Sequence, residues 1–428
     1  MPRRRLVGFD AFENVDNAVS KLLKVASLSP GVTEAPIEDS VGRVAAEDVR
    51  ATRHYPPHDR AAMDGVAVRA EDVVSASPHS PIELRIVETV EAGGRPTRAL
   101  GCGEAAIVYT GAPLPEGADA VVPFENVIIR DDTALVLKPV PKYGNVSRAG
   151  EDFSEGDILV RRGEVIRPWH VAALAESCIG RVKVFSPVKV AVVNTGSELT
   201  DYRACSGGEA IVNSSGPLIS AYVAELGCSV VYSTIVKDDV KAIREAVLNG
   251  LHRADVVVTT GGSSVGGKDL VPEAVSSIEG AELVFHGVNL RPGRTAGAFV
   301  VRGKPVLMLS GLPVACFVGL ENFLKPLILK AYGVKQLPRP TVRAVLTRRV
   351  ANAVGFRSYY RVVVFRGSDG RLYAEPLRLT GSGIISSMIR GNGLLVLSED
   401  MEGFDEGEEV EVELLSPPYE SKPEFLRW

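Results

Sequence analysis

The chain has 428 residues, of which 45% are hydrophobic and 24% are charged, and its formal net charge is −5. A chain of this length can bury a sizeable core and is expected to form about two to four domains. The small net charge gives no reason to expect a nucleic acid or a membrane surface as the main partner. No segment approaches the roughly 20 consecutive apolar residues of a membrane-spanning helix.

The cysteines and the N-terminus predict a reduced, cytoplasmic setting. The five cysteines include no C-x-x-C pair: Cys102, Cys178, Cys205, Cys228 and Cys316. Such spacing indicates neither a zinc site nor a disulfide framework. The basic N-terminus lacks the apolar segment of a signal peptide. Gln336 is the only glutamine, and a shortage of thermolabile side chains is typical of thermophiles.

The first half of the chain reads as one helix followed by β structure. Residues 15–28 carry apolar residues at helical spacing and end before a Ser-Pro-Gly stop, which predicts an amphipathic helix. A second helix is expected around residues 38–47. Short β-rich runs broken by Pro and Gly over residues 52–140 indicate a compact β domain. Residues 141–187 return to mixed structure, including the helical stretch PWHVAALAESC, and we expect them to pack against residues 9–51 as a discontinuous domain.

Strand-like and helix-like segments alternate from residue 188 to residue 334. Strands are predicted at 188–194, 229–236, 255–260, 281–285, 297–301 and 306–309, and helices at 214–226, 239–250, 271–278 and 314–331. This alternation predicts a largely parallel sheet with helices on both faces. Residues 341–416 return to short strands and turns, which predicts a small β barrel or sandwich. The chain is therefore expected to be a multidomain α/β protein.

Five loops should converge at one edge of that sheet, because ligands of open parallel sheets bind at the carboxyl ends of the strands. The loops contain NTGSEL (194–199), VKDD (236–239), TTGGSSVGGKDL (259–270), GVNLRPGRT (287–295) and SGLPVACF (310–317).

The third loop matches seven of the eight positions of a P-loop, with Asp269 where Ser or Thr is required. A carboxylate at that position would repel phosphate unless a metal ion lay between them. An anion-binding nest is favoured over a P-loop, since small residues let the backbone approach a ligand closely. An ordinary turn remains the simpler alternative.

Three carboxylates lie on these loops: Glu198, Asp238 and Asp269. Mg²⁺ takes one or two carboxylates together with phosphate oxygens, so these side chains could hold it. Asp239, by contrast, suits the N-cap of the next helix.

Cations and turns complete the candidate residues. Arg291 and Arg294 flank a Pro-Gly turn, and arginine binds oxyanions bidentately, although each could equally form a surface ion pair. Asp64-Gly65 and Thr110-Gly111 are, in isolation, turn sequences.

Seven motifs occur together in the order M-D-G-x-A, T-G-A-P-x-P-x-G-A-D-A-V-V, R-x-G-E-D, N-T-G-x-E-L, G-G-x-S-V-G, R-P-G-R and G-x-P-V. In that combination the chain resembles, over residues 9–416, the MoeA family of molybdopterin molybdenumtransferases, which is related to one domain of gephyrin. The resemblance implies an elongated discontinuous domain (9–51 and 141–187), a β domain (52–140), a three-layer α/β molybdopterin-binding domain (188–334) and a C-terminal β barrel (341–416). It also implies a homodimer, with each active site between the α/β domain of one subunit and domains of the other.

The reaction implied by the resemblance joins molybdate to the dithiolene of adenylylated molybdopterin, hydrolyses the adenylate and releases AMP, with Mg²⁺. The implied catalytic residues are Asp64, Thr110, Glu198, Asp238 and Asp269, of which Asp238 and Asp269 would hold Mg²⁺. The implied binding residues are Thr195, Gly196, Gly261, Gly262, Ser263, Ser264, Gly266, Arg291, Pro292, Gly293, Arg294, Gly311, Pro313, Arg361 and Ser382. A molybdopterin adenylyltransferase and apo-molybdoenzymes are the implied protein partners.

Several residues depart from the family pattern around the oxyanion pocket. Ser310 and Leu312 stand where the family has Pro and Asn, Thr295 where it has Pro, and Arg291 and Arg294 where it has lysine. Ser147 replaces an arginine that the family has after Asn145-Val146, although Arg148 adjoins it. Tungstate is therefore an alternative substrate, and a non-catalytic carrier or scaffold that binds molybdopterin is an alternative function. A P-loop enzyme is the third alternative, which Asp269 disfavours.

Overall fold

The computed structural model describes residues 12–204, 211–262, 270–334, 339–377 and 382–426. The chain divides into a smaller compact unit, Glu34–Val184, and a larger unit formed by the rest of the chain. Within the described ranges, no helix combines the length and apolar character needed to span a membrane.

The N-terminal helix is confirmed. In chain order, the elements up to residue 185 are α1 (Val15–Val25), β1 (Val32–Pro36), β2 (Val49–Arg50), β3 (Arg60–Ala61), β4 (Gly65–Val68), β5 (Ile82–Val90), β6 (Glu104–Val108), β7 (Ala120–Pro123), β8 (Val127–Arg130), β9 (Thr133–Val136), β10 (Val146–Ser147), β11 (Ile158–Val160), α2 (Pro168–Glu176) and β12 (Arg181–Phe185). The Asn14 side chain accepts hydrogen bonds from the N–H groups of Asp16 and Asn17, so it caps the first turn of α1. The buried residues of α1 are Val15, Ala18 and Leu22, at the spacing of one helical face.

The predicted helix at residues 38–47 is wrong. Only Glu38–Ser40 forms a single 3₁₀ turn. Gly42 then takes a positive φ of 82°, which ends the helical path. Val44 and Ala45 form antiparallel bridges with Val165 and Val184, so the backbone here is paired as in a strand.

The smaller unit contains a six-stranded sheet in the order β7-β4-β6-β5-β9-β8. Both faces of β4 are covered, because Val66 and Val68 pack in one core cluster and Ala67 packs in another. The later part of this unit returns to its beginning, since β11 pairs with β2. Ala35, Ile37, Val160 and Leu174 belong to one buried cluster that joins those two segments.

The larger unit contains the predicted α/β sheet. Its elements are β13 (Lys189–Thr195), β14 (Leu199–Thr200), β15 (Ile211–Val212), α3 (Ser215–Glu225), β16 (Ser229–Val236), α4 (Val240–Arg253), β17 (Val256–Thr260), α5 (Leu270–Ser276), β18 (Ala281–His286), β19 (Leu290–Arg291), β20 (Gly297–Val301), β21 (Lys304–Leu309), α6 (Pro313–Gly319) and α7 (Lys325–Tyr332). The strand order is β16-β13-β17-β21-β20-β18. The first four strands are parallel, as predicted. Every residue of β17 is buried, as expected for a central strand covered on both faces.

Two features of this sheet differ from the expectation. β20 pairs antiparallel with both β18 and β21. Only Arg302 and Gly303 connect β20 to β21. A connection of two residues forms a hairpin and is too short for a crossover. The helix predicted at 314–331 is present, but Leu320–Leu324 between α6 and α7 is a π-helix.

The C-terminal strands form a closed barrel. Their elements are β22 (Thr341–Leu346), β23 (Val350–Ala351), β24 (Arg357–Arg366), β25 (Leu372–Pro376), α8 (Ser386–Arg390), β26 (Gly393–Leu397), β27 (Gly403–Phe404) and β28 (Glu409–Leu414). The sheet order is β24-β25-β22-β28-β26, and β26 pairs again with β24 to close the barrel. β19 from the α/β region adds to β24 in parallel, which ties a sheet-edge loop to the barrel.

Candidate active site

Loops that contain glycine lie close together at the carboxyl edge of the α/β sheet. The Thr195 hydroxyl donates to the carbonyl of Thr260 (3.2 Å), and the Gly261 N–H donates to the carbonyl of Leu309 (3.3 Å). A Cβ on Gly261 would lie 2.3 Å from the Thr195 carbonyl oxygen, and Gly261 and Gly262 have φ values of 84° and 62°. Only glycine fits this close backbone approach.

A cavity of about 1450 Å³ opens at this edge and is lined by residues of the α/β sheet and the barrel. The sequence-predicted residues among its lining are Thr195, Gly196, Glu198, Asp238, Gly261, Gly262, Arg291, Pro292, Gly293, Arg294, Gly311, Pro313, Arg361 and Ser382. Asp64 and Thr110 belong to the smaller unit. Ser263, Ser264, Gly266 and Asp269 lie outside the described residues. The departures Thr295, Ser310 and Leu312 also line the cavity.

The loop with Arg291 and Arg294 is held at both ends. Val288 N–H donates to the carbonyl of Arg294 (2.9 Å), and β19 places Arg291 opposite Ser358 of the barrel. The Arg291 guanidinium lies 5.7 Å from the centroid of the Phe356 ring. In the described part of the chain, neither arginine has a carboxylate within 4.0 Å. Their positive charges therefore remain available at the cavity.

Arg361 is a buried cation without an acidic partner. It is 3% exposed, and its guanidinium donates to Ser387 Oγ (3.1 Å) and to the carbonyl of Tyr359 (3.0 Å). No carboxylate among the described residues pairs with it. Burial lowers its pKa below the ordinary arginine value. A charge kept in this state is compensated when an anion binds beside it.

Among the described residues, two carboxylates line the cavity, and both are exposed. Asp238 is oriented by Ser197, whose N–H donates to Asp238 Oδ2 (3.1 Å) and whose hydroxyl accepts from Asp238 N–H (3.0 Å). Glu198 is the second. Asp239, the sequence neighbour of Asp238, is not part of this set: it caps α4 by accepting from Ala242 N–H (2.8 Å), as predicted. Across the described ranges, no group of three or more His, Cys, Asp or Glu side chains forms a metal cluster.

Sequence reasoning missed the N-terminus of α3. Asn213, Ser214 and Ser215 line the cavity, and Asn213 Oδ1 accepts from Gly216 N–H (3.0 Å). The Ser215 hydroxyl donates to the carbonyl of Gly311 (2.8 Å), which joins this helix start to the last sheet loop. The stretch VNSSGP before a helical pattern is an N-cap signature, and it could have indicated these residues.

The structure brings Asp64 and Thr110 together, although they are 46 residues apart. The backbone N–H and the hydroxyl of Thr110 both donate to Asp64 Oδ1, each at 2.8 Å. These hydrogen bonds, the backbone one first, lower the pKa of Asp64. Glycine is required next to Asp64, because a Cβ on Gly65 would lie 2.2 Å from the carbonyl oxygen of Val122. The two turn sequences thus form one exposed, ionised carboxylate site.

Comparison with known proteins confirms the resemblance. Three family profiles match in order: "MoeA N-terminal region (domain I and II)" at residues 13–178, "Probable molybdopterin binding domain" at 191–330 and "MoeA C-terminal region (domain IV)" at 343–415. A molybdopterin molybdenumtransferase of Staphylococcus aureus is 34% identical over 398 residues, which are 93% of this chain and 94% of that protein.

Two solved structures of molybdopterin biosynthesis MoeA proteins from Pyrococcus horikoshii have the same fold. One superposes with a TM-score of 0.80 at 34% identity and covers 95% of this chain and 100% of its own. The other gives a TM-score of 0.82 at 31% identity, with 94% and 100% covered. On profiles, sequence and fold together, the chain belongs to the MoeA family.

Proposed function

We propose that this chain is a molybdopterin molybdenumtransferase, which inserts molybdenum into molybdopterin. The observation that supports this most is the cavity where glycine loops meet three arginines without carboxylate partners in the described structure: Arg291, Arg294 and Arg361. Molybdate is a dianion and a pterin nucleotide carries phosphates, so both need concentrated positive charge and backbone N–H donors. The S. aureus relative carries the transferase name, which favours the enzyme over a carrier or scaffold.

The finer proposal concerns substrates and roles. The substrate is adenylylated molybdopterin, whose adenylate is hydrolysed to release AMP as molybdate, or tungstate, joins the dithiolene. Arg361 is held in one direction by Ser387 and Tyr359, so it can bind the oxyanion without reorganising. Arg291 and Arg294 gather the oxyanion beside Pro313, while Gly261 and Gly262 begin the nest for the pterin nucleotide.

Magnesium fits the donors that line the cavity. Asp238 and Glu198 supply hard carboxylate oxygens, and Mg²⁺ takes one or two such ligands beside substrate phosphates. We assign Asp238 and Asp269 as the residues that would hold it. The ion would neutralise phosphate charge. Glu198 contacts the pterin side or orders water.

A homodimer is part of the proposal. Asp64 and Thr110 form an exposed pair in the smaller unit, whereas the cavity belongs to the larger one. We assign that pair to the cavity of a second copy of the chain. The four described cysteines form no disulfide, which supports a reducing, cytoplasmic location. A thermophilic source and the adenylyltransferase and apo-molybdoenzyme partners stay predictions.

The decisive experiment measures AMP release from adenylylated molybdopterin by the purified protein with Mg²⁺, in parallel with molybdate, tungstate and neither. Oxyanion-dependent release is expected and would identify the preferred metal. Tight pterin binding without release under any condition would instead indicate a carrier. For Asp269→Ala we expect loss of release with an unchanged melting temperature. Equal turnover at saturating Mg²⁺ would remove Asp269 from the proposed site.

A further inference from the structure

A second cavity, of about 720 Å³, lies within the smaller unit and has a basic lining. Its side chains include Arg53, His58, Arg60 and Arg95, and Glu176 is the one acidic residue among the described lining. Gly111, which follows Thr110 directly, also lines it. Neither the family profiles nor the proposed function assigns a role to these basic residues.

One arginine of this cavity is already paired, and two are not. The Arg53 guanidinium lies 3.9 Å from the Glu176 carboxylate and donates to the Glu176 carbonyl (2.6 Å). Within the described ranges, Arg60 and Arg95 have no carboxylate within 4.0 Å. The described lining therefore carries more positive than negative charge. The Glu151 carboxylate, which is not among the described lining residues, interacts electrostatically with Arg60 but forms no salt bridge with it.

Arg60 is fixed by its surroundings. It lies in β3, where it pairs with Ser147 of β10 and forms a further antiparallel bridge with Pro113. Its guanidinium lies 5.2 Å from the centroid of the Tyr55 ring, which in turn stacks on Phe153 at 5.4 Å. A cation on an aromatic stack is held in place without being neutralised.

Arg95 lies on a short, anchored loop. Before it, Gly94 N–H donates to the carbonyl of Glu91 (2.9 Å). After it, the N–H and hydroxyl of Thr97 donate to Glu88 Oε2 at 2.9 and 2.8 Å. Pro96 further restricts the backbone of Arg95 to extended conformations. The backbones that carry Arg60 and Arg95 are therefore already ordered before a ligand binds.

We propose that this second cavity binds a tetrahedral oxyanion of the phosphate class, held by the guanidiniums of Arg60 and Arg95. Guanidinium groups bind such anions bidentately, and two of them match the charge of a dianion. A phosphate monoester and a free oxyanion such as tungstate share this chemistry. The inference depends on these side chains and not on the proposed reaction.

The test is isothermal titration of the full-length chain with inorganic phosphate, AMP and tungstate, each separately. Every protein in this titration also carries Arg361→Met. This substitution weakens anion binding in the first cavity, so that binding in the second cavity can be measured. The pair Arg60→Gln and Arg95→Gln is compared with Arg130→Gln, an exposed arginine of β8 that does not line either cavity. We expect the double variant to bind at least one anion about tenfold to a hundredfold more weakly than the control.

The three anions distinguish the source of the ligand. A loss seen mainly with AMP would identify a nucleotide phosphate, and a loss seen mainly with tungstate a free oxyanion. Arg95→Gln alone, on its exposed loop, serves as the second variant if the double variant melts early. Equal affinity of the variants and the Arg130→Gln control for all three anions would overturn the proposal.

Discussion

Arg361 and Arg339 are both largely withdrawn from solvent in the larger unit, but their charges are compensated differently. Arg339 hydrogen-bonds the Glu321 carboxylate, which also pairs with Lys325 at 3.1 Å. Burial alone would lower the pKa of Arg339, but Glu321 outweighs it and the pKa is raised. Arg361 has a hydroxyl and a carbonyl as its partners, and burial lowers its pKa.

The difference separates architecture from binding. The Glu321 carboxylate joins the π-helix to the chain that enters the barrel, and Lys325 and Arg339 share it as a counter-charge within the protein. Arg361 lines the cavity and lacks a counter-charge in the described structure, so a ligand must supply one. Removing a residue from the first group should therefore affect folding, and removing Arg361 should affect function.

The largest expected effect comes from Arg361→Met. We expect oxyanion-dependent AMP release to fall about 100- to 1000-fold, as for the loss of one preorganised anion donor. The melting temperature should stay within a few degrees of the parent, because an uncompensated buried charge is removed along with its hydrogen bonds. Release kinetics and thermal unfolding of the same sample check both. Early melting with proportionate loss of release would show that Arg361 is structural.

Glu321→Gln should have the opposite profile. Leaving Lys325 and Arg339 without their carboxylate is expected to cost about 3 kcal/mol of unfolding free energy, while release per folded molecule is unchanged. Urea unfolding measures the cost. Glu279→Gln is the matched control, because its ion pair with Arg302 is exposed and should contribute little. Equal urea midpoints for the two variants would show that the buried Glu321 group stabilises the fold no more than an exposed ion pair does.

Acidification should erase part of the Glu321 effect. Burial raises the pKa of Glu321, but Arg339 and Lys325 outweigh it, so the folded pKa lies below the ordinary value of 4.5. The unfolded chain then binds the proton more readily, and the stabilisation is complete above pH 4.5 and is lost as pH falls through the folded pKa. The unfolding free energies of the parent and Glu321→Gln should converge below pH 4.5. A difference that stays constant down to pH 3 would contradict this assignment.

The smallest effect tests two adjacent aspartates. Asp239→Ala removes the cap of α4 and should cost about 1 kcal/mol of stability, with little change in AMP release. Asp238→Ala should reduce release and its Mg²⁺ dependence, with little change in unfolding. Each variant is the control for the other. The pair of assignments fails if both variants change the same quantity.

The sequence predicted the α/β sheet well, because its strands and helices are defined by local periodicity and by Gly and Pro at their ends. It could not predict the antiparallel edge from alternation alone, although the two-residue connection at Arg302 and Gly303 was visible. At residues 38–47, where a helix was wrongly predicted, Val44 and Ala45 pair with residues that are distant in sequence. Hydrophobic periodicity is a local signal and cannot indicate such pairing.

Candidate site residues on loops have a local sequence signal that candidate residues inside regular elements lack. The glycines, Arg291, Arg294 and the carboxylates follow strand ends, where chemistry is expected. Arg361 lies inside β24, in RSYYRVVVFR, where nothing local distinguishes it from a surface arginine. Only the family resemblance indicated it, because its burial depends on barrel closure and on Ser387 of α8.

The π-helix at Leu320–Leu324 makes the number of residues in the helix from Pro313 to Tyr332 critical. One inserted residue rotates every following residue by about 100° around the helix axis. Within the π-helix, the Asn322 side chain accepts a hydrogen bond from the hydroxyl of Tyr359 (3.0 Å), a residue that lines the cavity. At the far end, the Tyr332 hydroxyl accepts from Val188 N–H (2.9 Å) before the first strand of the sheet. Deleting one residue of Leu320–Leu324 would therefore turn either Asn322 or Tyr332 away from its partner.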